Sequence, residues 1–336
     1  MTTPPHSGPV ALPPDAGAFA FPTPADVLAA ARRLEGVARR TPLERSAALS
    51  EIAGTDVFLK LEGMQRTGSF KLRGAYNRIA TLPEAVRARG VVTASAGNHG
   101  LGVALASRLH GTRAVVYVPE DAPETKRRRI AREGAELRLV PGGYDDAHHA
   151  AEAEAARTGA FFVHAYSDPQ TVAGQGTVGL ELFEELPDVR TVLCPVGGGG
   201  LVNGIGLLAR ALGGGARMVG AQSTETAAMH ASLAAGRLVC PPQGPTLCEG
   251  LSGETDAPSL ALARRTVDEI VLVDEGAVRR AIRWLYVEEG IVAEGSAAVA
   301  VAALLEGAAR VEGPAAVVLT GSNLDAARLA AILAEG

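Results

Sequence analysis

The sequence predicts an α/β protein built as two doubly wound lobes with parallel sheets. Two observations carry that prediction. From Gly90 onward, short β-branched runs alternate with segments whose apolar residues recur every three and four positions, the pattern of successive βαβ units. A second set of apolar runs begins after Asp168-Pro169, and 336 residues are enough for two domains with a substantial core.

The elements follow in order. MTTPPHSGPVALPPDAG holds five prolines but neither a basic start nor an apolar h-region, so residues 1–24 are expected as a flexible tail, not a secretory signal. A helical arm is expected over 25–39 and a strand, VFLKL, over 57–61. GVVTAS leads into a helix over 98–110, RAVVYVP into one over 124–133, and AELRLV into one over 145–157. FFVHAY is the next strand. Beyond Asp168-Pro169 a helix runs to Leu186, and TVLCPVGGGG, ARMVGAQ, EIVLVD and AAVVLTG supply four further buried strands. In doubly wound sheets the ligand sits at the carboxyl ends of strands, so the loops directly after strands are the place to look for chemistry.

Composition excludes several classes of function. With 47% apolar and 21% charged residues and a net charge of −5, the chain offers no positive field for a phosphodiester backbone. Its longest basic run is Lys126-Arg127-Arg128-Arg129, and nucleic acid is not an expected partner. No run approaches the ~18 apolar residues of a membrane span. Cys194, Cys240 and Cys248 lack the count and spacing of a disulfide framework or zinc site, which suits a reducing cytoplasm. His148 and His149 are adjacent on a helix and do not share a face as metal ligands would.

Three strand-end loops stand out. Val196-Gly197-Gly198-Gly199-Gly200-Leu201 opens a helix, and its glycines let backbone N–H groups converge on an anion. It reads either as a phosphate cradle or as a flexible turn; it lacks the Lys-Ser/Thr of a Walker loop and the spacing of a dinucleotide fingerprint. Ser95-Ala96-Gly97-Asn98-His99-Gly100 also opens a helix, where small residues would present N–H donors to a carboxylate and Asn98 adds an amide. Helix capping is the alternative there. Leu319-Thr320-Gly321-Ser322-Asn323 brings hydroxyls and an amide to the end of the last strand.

Amine chemistry has only three candidates, because three of the 32 basic residues are lysines. Lys126 belongs to the basic run and is expected on a solvated face. Lys60 alternates with Glu62 and is expected to pair with it. Lys71, in Thr67-Gly68-Ser69-Phe70-Lys71-Leu72-Arg73, stands beside a large aromatic at a helix start; desolvation by Phe70 or the charge of Arg73 would lower its pKa and leave a nucleophilic amine. A salt-bridging lysine is the alternative. A phosphate cradle, a nucleophilic lysine and polar strand-end loops together meet the needs of pyridoxal phosphate.

The ordered segments LEGMQRTGSFKLRGA, SAGNHGLGVA, AGQGTVGLE, PVGGGGL and LTGSN resemble the fold-type II pyridoxal-phosphate enzymes, whose fold is that of the tryptophan synthase β chain. The similarity is strongest to the threonine/serine dehydratases, or ammonia-lyases, and to their relative serine racemase, and it covers about residues 25–330. It implies a large cofactor-binding lobe over 25–86 plus 168–336 and a small lobe over 87–167. By position, it implies that Lys71 carries the cofactor and shuttles the α-proton, with Phe70 beside it. Asn98 would hydrogen-bond the ring oxygen, and Gly197, Gly198, Gly199, Gly200 and Leu201 would hold the phosphate. Thr320 would face the pyridine nitrogen, where a neutral hydroxyl suits prompt elimination over a long-lived carbanion. Ser95, Ala96, Gly97, Asn98 and His99 would bind the substrate carboxylate.

The reaction implied is dehydration and deamination of a β-hydroxy amino acid such as threonine or serine to a 2-oxo acid and ammonia. A threonine-synthase-like or β-replacement reaction is the alternative, suggested by Thr320 where the dehydratases read SGGN. Racemization is disfavoured because Ala96 stands where racemases place a proton-carrying serine. The family's divalent-cation site uses a Glu and an Asp in a segment where this chain has Gln222 and Ala228, so no metal is expected there; Glu225 offers a single shifted carboxylate. Cys248-Glu249-Gly250 replaces the family's ADG beside the substrate. Only 13 residues follow Asn323, which implies no appended regulatory domain and a catabolic or specialised enzyme. Relatives are commonly homodimers.

Overall fold

Ten strands among the described residues sort themselves into two sheets, and most of their residues are buried on both faces. A computed structural model describes residues 20–212 and 215–335, so most of the tail expected over 1–24 lies outside the described residues. Strands β1 (Leu43–Ser46) and β2 (Val57–Leu61) come first. Then come β3 (Val91–Ala94), β4 (Ala114–Pro119), β5 (Glu136–Val140) and β6 (Phe161–Phe162). The last four are β7 (Thr191–Pro195), β8 (Arg217–Ser223), β9 (Glu269–Val273) and β10 (Ala315–Leu319). The six-stranded sheet has the order β1-β2-β10-β7-β8-β9 and the four-stranded sheet the order β5-β4-β3-β6. Every pairing is parallel except that of β1 with β2.

The helices of the first half are α1 (Pro24–Leu34), α2 (Ala47–Ala53), α3 (Lys71–Ala80), α4 (Glu84–Arg87), α5 (Asn98–Leu109), α6 (Glu124–Arg132) and α7 (Tyr144–Thr158). Those of the second half are α8 (Pro169–Glu185), α9 (Gly200–Ala211), α10 (Ala228–Ala235), α11 (Ala257–Thr266), α12 (Glu275–Glu289), α13 (Gly295–Leu305) and α14 (Ala326–Ala334). Alternation along the strands feeds two cores in the large sheet. Val317, Leu193 and Val219 pack under α2, α12 and α13, while Val318, Val192 and Met218 pack under α8, α9 and α11. In the small sheet, Val91 and Val116 share a core with α5 and with Leu72, Ala75 and Ile79 of α3, whereas Val92 and Val115 meet Ala147 and Ala151 of α7. The helix that begins with Lys71 therefore packs at once on α5, over the four-stranded sheet, and on α8.

Several expectations need correction. The first helix stops at Leu34, five residues early, because Gly36 turns the chain with φ +71° and the N–H of Val37 reaches back to Leu34. The strand FFVHAY ends at Phe162, since the ring Nδ1 of His164 accepts the N–H groups of Tyr166 and Ser167 and bends the chain toward the cleft. Lys60 and Glu62 do not pair. β2 gives way to a 3-10 turn at Glu62, so the alternation that would have put both on one side is broken. Lys60, fully buried, sits 2.8 Å from Glu181 and donates to the carbonyl of Thr41 at 2.6 Å. Glu62, equally buried, takes both Nε and Nη2 of Arg73 at 2.9 and 2.7 Å, and Arg73 also holds Glu181 at 2.6 Å.

The AGQGTVG segment lies inside α8. A Cβ on Gly204 of α9 would stand 2.7 Å from the backbone nitrogen of Gly176, so only glycine lets the two helices cross this closely. Gln175 Oε1 accepts the N–H of Gly74 at 3.1 Å and so satisfies a free donor in the first turn of α3. The carboxyl ends of β3, β4, β7 and β10 all open on one cleft between the sheets.

Candidate active site

A cavity of about 1310 Å³ fills this cleft, and the residues to which the resemblance gives cofactor and substrate roles line it: Phe70 and Lys71, Ser95 to His99, Gly197 to Leu201, and Thr320. Lys71 opens α3, and its approach is strapped to the loop after β10. The N–H of Phe70 donates to the carbonyl of Thr320 at 3.2 Å, and the N–H of Ser322 to that of Gly68 at 2.9 Å. A β-bridge joins Ser69 to Gly321 between them. Lysine and threonine thus reach the cavity together although they lie on distant parts of the chain.

Among the described residues Lys71 Nζ has one hydrogen-bond acceptor, the carbonyl of Ala165 at 3.3 Å, and it stands 5.2 Å from the centroid of the Phe70 ring. Burial lowers its pKa from 10.5 to about 8, against the pull of the Glu294 carboxylate, which favours the charged form. The expected contribution of Arg73 is absent, because its guanidinium turns away from the cavity and is neutralised by Glu62 and Glu181. An amine held this way is the most nucleophilic lysine the chain offers, since Lys60 is locked in its ion pair and Lys126 pairs with Glu249 at 2.6 Å. Lys126 is partly exposed, in keeping with the solvated face expected for it, and its amine is engaged there. It spans the cavity mouth from α6 to Glu249, whose other oxygen holds Arg328 at 2.6 Å.

Asn98 does not cap its helix. The N-cap is Gly97, with no side-chain cap, and the Asn98 amide turns into the cavity. Its Oδ1 accepts from Asn323 Nδ2 at 2.6 Å and its Nδ2 donates to Glu294 Oε1 at 2.6 Å. Asn323 Nδ2 also donates to the carbonyl of Thr67 at 2.9 Å, so one chain of hydrogen bonds ties the loops after β2, β3 and β10 to the start of α13. Sequence reasoning missed Glu294. Burial pushes its carboxyl up to about 7, with the Asn98 hydrogen bond opposing. A lone acid at the threshold of the very apolar segment GSAAVAVAALL was the available signal; it occupies the N-cap of α13 yet makes no capping bond.

The glycine loop is held for close approach. Gly199, the N-cap of α9, has φ +100°, and a Cβ on Gly198 would fall 2.5 Å from the ring of Tyr166. Neither α9 nor α5 has a side-chain cap, so the first N–H groups of both helices are left for an anion from the cavity. Ser95 Oγ accepts the N–H of Gly97 at 3.1 Å and shapes the turn. The His99 ring is buried, donates from Nε2 to the carbonyl of Val163 at 2.9 Å, and has its pKa lowered to about 3 by burial, so it stays neutral. What His99 can offer an anion is its backbone N–H. Thr320 Oγ1, also buried, donates weakly to the carbonyl of Ser296 at 3.4 Å.

These groups fit pyridoxal phosphate. A desolvated amine with a single weak acceptor, a loop in which side chains have no room, an amide and a hydroxyl all face one cavity. Among the described residues no helix is long and apolar enough to cross a membrane, and no group of three or more His, Cys, Asp or Glu is placed to hold a metal.

Comparison with known proteins agrees. The L-threonine ammonia-lyase of Thermotoga maritima is 41% identical over 312 residues, covering 93% of this chain and 78% of that protein. The catabolic L-threonine dehydratase TdcB of Escherichia coli K12 is 36% identical over 311 residues, covering 91% and 94%. Among solved structures, maize serine racemase superposes with a TM-score of 0.89 at 29% identity, over 94% of this chain and 98% of that one. The processed form of threonine deaminase isoform 2 from Solanum lycopersicum gives 0.87 at 30% identity, over 100% and 99%. The model of the family described as pyridoxal-phosphate dependent enzyme matches residues 34–322, with the lysine, the glycine loop and Thr320 inside it, and to that family this chain belongs.

Proposed function

We propose that the chain is an ammonia-lyase that removes water and then ammonia from a β-hydroxy amino acid, threonine or serine, and yields the 2-oxo acid. The observation that carries this reading is Lys71 Nζ, desolvated at the cavity floor and ringed by the loops that end β3, β7 and β10. Relatives named as threonine ammonia-lyases and dehydratases support the choice of substrate.

Bound pyridoxal phosphate supplies the electron sink that allows a Cα–H bond to break. The chain does the rest. Lys71 Nζ would hold the cofactor and would serve as the base that takes the proton from Cα. The N–H groups at the start of α5, with Ser95 Oγ nearby, hold the substrate carboxylate and fix which Cα bond faces the lysine. Gly197 to Leu201 would hold the phosphate, Asn98 Nδ2 would donate to the ring oxygen, and Thr320 Oγ1 would serve the pyridine nitrogen. Loss of the β-hydroxyl leaves an enamine whose hydrolysis releases ammonia. Ala96 has no proton to give to the opposite face, which supports elimination over racemization.

The lobe boundaries, 25–86 plus 168–336 and 87–167, belong to the same proposal and are supported by the sorting of strands into two sheets. So do a homodimer, supported by the exposed Tyr286, Val287 and Val292, and a cytoplasmic location, supported by three free thiols. The test is a panel of threonine, serine, 3-hydroxyaspartate, phenylserine and O-phosphohomoserine, scored for 2-oxo acid and ammonia, with Lys71→Ala as control. Release from threonine or serine that vanishes in the variant is the expected result. Cofactor binding without elimination from any β-hydroxy substrate overturns it.

A further inference from the structure

Gln222, fully buried at the end of β8, joins three stretches of backbone through one amide. Its Nε2 donates to the carbonyl of Val196 at 3.0 Å and to that of Thr226 at 2.5 Å, while Oε1 accepts the N–H of His230 at 2.8 Å. Val196 is the residue before the glycine loop, Thr226 closes the 3-10 turn Thr224–Thr226, and His230 lies in α10. Two carbonyl oxygens converging on one buried point need either a cation or a group with two hydrogens to give. An amide NH2 supplies both hydrogens without charge.

A carboxylate at the same place would face those two oxygens with nothing between them, and only a bound cation would reconcile the three. With the amide in place, no free carboxylate is left there to hold one. Position 228 is a buried alanine, and the carboxylate of Glu225 is engaged, accepting the N–H of Gly244 at 2.9 Å.

We propose that Gln222 is a positioning residue for the phosphate cradle: its amide fixes the carbonyl at the base of the glycine loop, so that the cradle keeps its shape without a divalent cation. This rests on the reading of Gly197 to Leu201 as the phosphate site.

The test compares the affinities of the full chain, stripped of cofactor, for pyridoxal phosphate and for pyridoxal, in EDTA and in calcium or magnesium. Wild type is expected to favour the phosphate form and to change by less than about twofold between the two media. Gln222→Glu is expected to bind pyridoxal phosphate about tenfold more weakly in EDTA and to regain that affinity in calcium. Gln222→Met keeps the volume but lacks both donors; it should lose affinity for the phosphate form alone, with no response to calcium. If Gln222→Glu folds only when calcium is present, its melting temperature reports the same dependence.

Loss of wild-type affinity in EDTA overturns the inference. So do wild-type affinity in both variants and an equal loss for pyridoxal and its phosphate. If wild type itself does not distinguish the two ligands, the phosphate-cradle reading fails and this one fails with it; if wild type distinguishes them and the variants match it, only the tether fails.

Discussion

Arg73→Met would remove the centre of a buried cluster of four charges that anchors the helix of Lys71. In the wild-type chain Lys60 and Arg73 balance Glu62 and Glu181, with Lys60, Glu62 and Arg73 all but inaccessible to solvent. With methionine at 73, Lys60 still neutralises Glu181 at 2.8 Å, but Glu62 keeps only the Thr41 hydroxyl at 2.6 Å. One uncompensated buried carboxylate costs about 3–5 kcal/mol. Removing it as well, in Arg73→Met/Glu62→Met, leaves the Lys60–Glu181 pair intact in an apolar setting and should restore stability to within about 1–2 kcal/mol of wild type. Urea unfolding of the cofactor-free chains, with unchanged m-values, measures all of this. The double variant must then be more stable than the sum of the single losses by about 2 kcal/mol or more. A loss under about 1 kcal/mol in Arg73→Met, or simple additivity in the double variant, would refute the reasoning.

Four further outcomes are expected. Capture of pyridoxal phosphate by the cofactor-free chain needs the neutral amine, so its rate should climb with pH and level off above about 8, far below the 10.5 of an ordinary lysine. Glu294→Gln removes the charge that holds Lys71 protonated and should shift that inflection lower; a profile still rising at pH 10 would contradict the desolvated amine. The same shift has a sign for stability: between about 8 and 10.5 the unfolded chain binds the extra proton, so the cofactor-free fold gains stability as pH rises through that window. In Gly198→Ala the new methyl would lie 2.5 Å from the Tyr166 ring, and displacement of ring or loop should weaken cofactor binding about tenfold by direct titration. Unchanged affinity there would show that the loop has slack.

What the sequence disclosed follows from the range of the forces involved. The helix of α8 announced its own start, because Asp168 caps it through the N–H groups of Gln170 and Thr171 and Pro169 follows at once. The strand-end loops were equally visible, since glycine runs and small polar residues are local devices. β1 was not visible, for LERS pairs antiparallel at the sheet edge with Glu44 and Arg45 in solvent and no apolar alternation to reveal it. Glu294 and the Arg73 cluster were invisible for another reason. Whether a carboxylate caps a helix, pairs with arginine or faces a cavity depends on groups a hundred or more residues away, as Arg73 and Glu181 illustrate, 108 apart. Gln222 was noticed only as a missing carboxylate, and its geometry recasts it as a donor.

The strap between the loops after β2 and β10 bears on synthesis. Asn323 meets the carbonyl of Thr67 across 256 residues, and the backbone bonds of Gly68 and Phe70 wait for the same distant partner. At roughly 5–20 residues per second, ribosomes need on the order of 13–50 s to cover that interval. Throughout that time the approach to Lys71 lacks its strap, and neither the Thr320 hydroxyl nor the Asn98–Asn323 contact exists. A nascent chain cut short before β10 would carry the reactive lysine yet have nothing to aim it, so cofactor capture should mark completion of the last strand.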